Sequence, residues 1–312
     1  MAKDHYVAQT YLRGFGLAEK PDLVSVVRKS NLSRQDAIPV KSICYEIDWS
    51  SNEYFTENPR AVEDLLKLFE PKWADCVRSV FADTYNVTTK YLMAGYLAYL
   101  RACTPTAVRL GAGGLSHIVK NLYDRLEEKE LSNPDTKYRE VIETIRKHGG
   151  TNVLIKEAFP KASGINALIG AQKVFATSPW IVFKNETPVQ FLTSDNPVCL
   201  QYWNASRCDL YCPLTPRLAI VIHPLRDTEP RDGDSLGSLK PEGVEMLNRL
   251  IVQSAEDKVI FNEHTCVEDL VKEYQDWRVE LQTFNIPVER GNLMIHQERP
   301  VKRTTYETGL YK

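Results

Sequence analysis

The sequence predicts an α+β protein in which a predominantly helical middle region packs on a small antiparallel β-sheet. Three observations carry that expectation. Apolar residues recur at spacings of three and four from Val62 to Leu100, β-branched and aromatic runs take over after Ser178, and turn-forming residues separate those runs. The 312 residues suffice for a substantial core, and 43% hydrophobic with 26% charged residues is the balance of a folded globular chain.

Short extended segments are expected at 22–27 and 42–49, where the periodicity is poor. Asn58-Pro59 then starts a helix, with Asn at the cap and Pro in the first turn. Val62, Leu65, Leu66, Phe69, Trp73, Cys76, Val77 and Val80 form its buried stripe, and Pro71 predicts a break within it. A second helix over 89–103 buries Leu92, Met93, Tyr96, Leu97 and Leu100, with Pro105 helping to end it. The stretches 115–130 and 135–147 read as solvated helices, the second ended by Gly149-Gly150. Gly111-Ala112-Gly113-Gly114 reads as a flexible connector, since it has neither Walker nor dinucleotide spacing. Weaker helical segments are expected at 151–159 and 165–176.

Beyond Ser178, residues 180–183 and 189–193 read as a hairpin around the turn at 184–188. Strands are expected at 208–212, 218–223 and 258–262, a helix at 241–254, and a long loop at 226–240. The organisation expected is one α+β domain over 1–265 and a C-terminal extension, 266–312, packing on it.

A net charge of −2, from 39 basic and 41 acidic residues, argues against a constitutive nucleic-acid coat but leaves room for a local basic cleft. Seven cysteines without a C-x-x-C pair point to reduced, mostly buried thiols rather than a structural zinc site. MAKDHYVAQTYLRGFG lacks the apolar core of a secretory signal, and no apolar run spans a membrane, so a cytoplasmic location without membrane contact is the expectation. The oligomeric state is not legible.

Three stretches stand out: HYVAQTYLRGF at 5–15, LRACTP at 100–105, and FLTSDNPV at 191–198 followed by CPLTP at 212–216. Their order and spacing resemble a mainly bacterial family, domain of unknown function 4238, with an HYVPQ-x-YLR-x-F start and a later SDNP element. The resemblance covers residues 4 to 265, with Ala8 standing where the family usually has proline. It implies His5, Gln9, Arg101, Asp195 and Asn196 as motif positions, and Glu63 and Glu70 as counterparts of the family's middle glutamates. It implies no reaction.

Each of these residues has a structural and a chemical reading. His5 either anchors a terminal segment or serves as acid, base or metal ligand, and on a helix Gln9 would share its face. Glu63 and Glu70, two helical turns apart, are either solvated or, with Asp195, ligands for a divalent metal such as Mg or Mn. Arg101 at the edge of a buried face needs an anion, either a protein carboxylate or a substrate phosphate. Asp195-Asn196-Pro197 makes a tight turn, and an Asp after a strand is also a common catalytic station. If the seven converge, they suit a phosphodiester-cleaving enzyme acting on nucleic acid, as a bacterial toxin or phage-defence effector would. The alternative is a non-catalytic ligand-sensing or protein-interaction module in which the same residues form a closed network.

Overall fold

The computed structural model describes residues 2–202, 208–224, 233–262, 266–288 and 291–303, with the side chains of 285–288 and 291–295 excepted. The chain opens with β1 (Lys3–His5), the short α1 (Gln9–Leu12), β2 (Leu23–Arg28), β3 (Arg34–Pro39) and β4 (Tyr45–Ile47). Six helices follow: α2 (Ala61–Phe69), α3 (Trp73–Phe81), α4 (Val87–Ala102), α5 (Pro105–Ser132), α6 (Arg139–Lys147) and α7 (Ala158–Thr177). Then come β5 (Trp180–Lys184), β6 (Thr193–Ser194), β7 (Cys199–Tyr202), β8 (Cys208–Thr215), β9 (Leu218–Ile222) and β10 (Ser235–Gly237). The chain continues through α8 (Pro241–Ser254), β11 (Lys258–Phe261), α9 (Glu268–Glu273) and the long hairpin β12 (Trp277–Val288) and β13 (Gly291–Lys302).

The α+β expectation holds, with several small sheets in place of one. One sheet has the order β10-β5-β9-β8-β7, antiparallel except for the parallel β10–β5 pair, and a second has the order β3-β2-β11-β6. The larger core joins α2, α3, α4 and α7 to the sheets through Leu66, Trp73, Leu97, Phe175, Trp180 and Ile220. A second core lies around α8, whose Val244 and Ile251 pack with Val259 and Phe261 of one sheet and Tyr211 and Ala219 of the other.

Local chemistry explains much of the helical block. The helix expected at Asn58-Pro59 begins two residues later, at Ala61, and Asn58 steadies the entry by accepting from the Arg60 N–H at 3.1 Å. Pro71 lies in a short 3-10 turn (Glu70–Lys72) that separates α2 from α3, as its missing N–H requires. Helix α4 is buried along a continuous run from Met93 to Leu100 because α2, α3 and α7 surround it. Pro105 begins α5 as well as following α4, with the Thr104 hydroxyl capping the Ala107 N–H at 3.3 Å.

Four expectations are corrected. Gly111-Ala112-Gly113-Gly114 is part of α5: a Cβ on Gly111 would sit 3.0 Å from Pro160 and one on Gly114 3.3 Å from Leu281, so close packing offsets the poor helix propensity. The segment before α7 is not helical until Ala158. Strand β5 does not form a hairpin with 189–193; it pairs with β9 and β10, while β6 crosses to pair with β11. The loop expected at 226–240 contains β10, and its residues 226–232 lie outside the described ones.

The C-terminal segment docks α9 on β2 and α8, and lays the β12–β13 hairpin against α5, α8 and β7. Buried Lys29 fastens it, donating to the carbonyls of Val252 (2.9 Å), Ala255 (3.0 Å) and Trp277. Among the described residues no helix is long and apolar enough to cross a membrane, and the cysteines are unpaired, with Cys44, Cys76, Cys103, Cys199 and Cys212 buried.

Candidate functional site

His5 ends β1, whose pairing with β4 sets the imidazole beside the Tyr45 ring, with centroids 5.8 Å apart. Gln9 begins α1, so the two residues do not share a helix face, contrary to expectation. The bend between them is set at Ala8, which adopts φ −65° and ψ 148°. That is the conformation a proline would impose, so replacing the family's usual proline leaves the geometry in place.

The neighbouring positions build an acid–base patch around His5. Asp4 is buried and receives the Arg60 guanidinium at 2.7 Å and the Ser50 N–H at 2.9 Å. Burial pushes the Asp4 carboxyl up, but these donors outweigh it and hold it below its ordinary value. Thr10 donates to Glu70 Oε1 at 3.0 Å and meets the Tyr96 hydroxyl at 3.3 Å, fixing Glu70 just beyond α2. Tyr99 donates to the His5 carbonyl at 3.3 Å, and Glu63 and Glu70 both act electrostatically on its hydroxyl. Burial lowers the His5 pKa against the opposing pull of the Lys41 backbone, Glu70 and Asp4. Burial thus favours the neutral ring, and its Nε2 is enclosed with no hydrogen-bond partner among the described residues.

Asp195 and Asn196 lie elsewhere in the network. Asp195 is buried directly after β6, and its carboxylate accepts from the backbone N–H groups of Glu256, Asp257 and Lys258, each at 2.9 Å. Burial pushes this carboxyl up, opposed by Lys258 and by those N–H groups. Asn196 donates to the Ser254 carbonyl at 3.0 Å and accepts from Thr104, the N-cap of α5, at 3.4 Å. The pair thus ties the exit of α8 to the start of β11 and the entry of α5. Arg101 is ion-paired with Glu298 of β13, and it lines a small void together with Asn196.

Glu70 thus acts on the His5 ring, Glu63 and Glu70 both act on Tyr99, Gln9 stands at the adjoining helix start, and Arg101 shares a void with Asn196. Glu63, Glu70 and Asp195, expected as metal ligands, are not assembled: among the described residues no group of three or more His, Cys, Asp or Glu side chains is placed to hold a metal ion. Sequence reading missed Asp4, Thr10 and Arg60. Thr10 lies inside the first motif and Asp4 beside it, but no spacing signals the Asp4–Arg60 pair across 56 residues.

The motifs converge physically. The Tyr11 hydroxyl donates to the Pro213 carbonyl at 2.6 Å and contacts Thr193 Oγ1 at 2.8 Å, joining the first element to the strand before Asp195 and to β8. No curated protein and no solved structure matches the chain significantly. A family model described as "Protein of unknown function (DUF4238)" matches residues 3–265, from the strand bearing His5 to the segment just after β11, and the chain belongs to that family.

Proposed function

We propose that the chain is a hydrolase cleaving phosphodiester bonds, with nucleic acid as substrate and His5 as general base. One observation carries the reading: an imidazole that burial shifts toward its neutral form, with an enclosed Nε2 that has no partner among the described residues and with Glu70 acting on the ring. A buried polar atom without a partner is costly, and a bound hydroxyl or water would satisfy it. In this scheme Nε2 takes the proton of the attacking water or ribose hydroxyl as that oxygen bonds to phosphorus, the P–O bond to the leaving oxygen breaks, and the imidazolium, stabilised by Glu70 and Asp4, gives the proton to that leaving oxygen. Arg60, part-exposed and held on Asp4, offers its remaining donors to the charge developing on phosphorus-bound oxygen.

The closed bonding of Asp195 and Asn196 favours a second reading, a non-catalytic ligand-sensing module. Wild type, His5→Ala and Glu70→Gln would be incubated with plasmid DNA, total RNA and tRNA, with Mg²⁺ or Mn²⁺ and with EDTA. Cleavage that falls by about 10²–10⁴ in folded His5→Ala supports the hydrolase. EDTA sensitivity would add a metal to the scheme. No cleavage under any condition supports the sensing module.

A further inference from the structure

A cavity of about 430 Å³ opens between α4, α5, α7 and the C-terminal hairpin, away from His5. Its walls are small or apolar: Ala102 from α4, Gly111 and Gly114 from α5, Gly164 and Ala167 from α7, and Leu281 from β12. Its polar groups are Arg101, Ser163, His296 and Glu298. The volume is that of a small-molecule site, and a mostly apolar wall with a few polar groups is the usual composition of one.

The state of Arg101 points to the ligand's charge. Arg109, one helix later, makes four bonds: to both oxygens of Glu256 (2.8 and 3.2 Å), to Glu280 (3.1 Å) and to the Val279 carbonyl (2.8 Å). Arg101 has five N–H donors, and among the described residues its one bond is from Nη2 to Glu298. Arg101 lines both this cavity and the small void beside Asn196, so its guanidinium sits at the wall between them. Its side chain is only 17% exposed, which raises the strength of any anion contact made there. His296 is held by Thr283 at 2.9 Å and adds a second polar group at the same wall.

We propose that this cavity binds an amphipathic monocarboxylate, with its carboxylate on Arg101 and its apolar chain along the small-residue walls of α4, α5 and α7. Glu298 competes with the ligand for Arg101, so the hairpin that carries it sets the affinity. The site stands apart from the hydrolytic reading and needs no activity to be tested.

Binding of decanoate, decanol and decyltrimethylammonium, all below micellar concentration, would be measured by calorimetry on the full chain. Decanoate is expected to bind at least about tenfold more tightly than the other two. Glu298→Gln, which removes the competing carboxylate, is expected to tighten decanoate by about tenfold, an effect that a purely structural ion pair would not produce. Ala167→Phe, at an exposed position lining the cavity, should abolish binding without unfolding the protein. Arg101→Gln/Glu298→Gln, which leaves no unpaired charge, should remove the preference for the carboxylate. Equal binding of decanoate and decanol, preference for the cation, no binding of any probe, or unchanged affinity in folded Ala167→Phe would each overturn the proposal.

Discussion

Replacing Asp195 by alanine removes one carboxylate and strands three backbone N–H groups, those of Glu256, Asp257 and Lys258, each now bonded at 2.9 Å. A hydrogen bond to a charged acceptor is worth about 1.5–3 kcal/mol, so three independent bonds would sum to roughly 4.5–9 kcal/mol. They share one buried carboxylate whose desolvation already opposes them, and the net cost of breaking such a group is about 3–5 kcal/mol. Against a total stability of about 5–15 kcal/mol, that is a large fraction of the fold's reserve. In urea, with an m-value of about 3 kcal/mol/M, a loss of about 4 kcal/mol lowers the midpoint by about 1.3 M. Asp195→Asn is expected to fall between, because its amide oxygen can accept on one side while its NH₂ faces an N–H on the other. Tryptophan fluorescence and circular dichroism would follow both transitions. If Asp195→Ala unfolds within about 1 kcal/mol of wild type while any cleavage activity disappears, the structural assignment is wrong and Asp195 belongs to the chemistry.

Acid should destabilise the protein through Asp4, Glu256 and Asp257, whose folded pKa values lie below the ordinary ones because their bonded partners outweigh burial. The unfolded chain then binds more protons on acidification, so their contribution is present above about pH 4.5 and fades as pH falls through the folded values, which urea titrations at pH 7 and pH 4 would register. Lys29 has the same sign of dependence in a higher pH window. Burial lowers it from 10.5 to about 8, so between those values the unfolded state binds the extra proton and the Lys29 contribution to stability rises with pH. Lys29→Met strands three carbonyls and is expected to cost about 2–3 kcal/mol at pH 7, with the gap to wild type widening by pH 10; an unchanged gap would contradict the assigned shift. Ala8→Pro should stabilise by about 0.4–1 kcal/mol, since φ −65° and ψ 148° already suit proline, and a lower melting temperature would show a conflict that the backbone angles do not reveal.

Much of the fold was legible because it is written in local periodicity and punctuation. Helix α8 runs from Pro241 to Ser254 as its apolar spacing and N-terminal proline indicate, and Pro71 separates α2 from α3 for want of an N–H. The family motifs were legible as well, and Glu70 acts electrostatically on His5. Other features depend on partners distant in sequence. The glycines of α5 stay helical because Pro160 and Leu281 pack against them, and β6 leaves its neighbour β5 to pair with β11.

The same division runs through the site. Residue type and a period of two or 3.6 are local properties, so the titratable side chains and the apolar faces can be read directly along the chain. What each charge meets is set by long-range packing: Asp195 finds backbone donors up to 63 residues away, and Arg101 finds Glu298 across 197. A buried charge must be satisfied, but any of several opposite charges or dipoles could serve, and the choice is made when distant segments pack together.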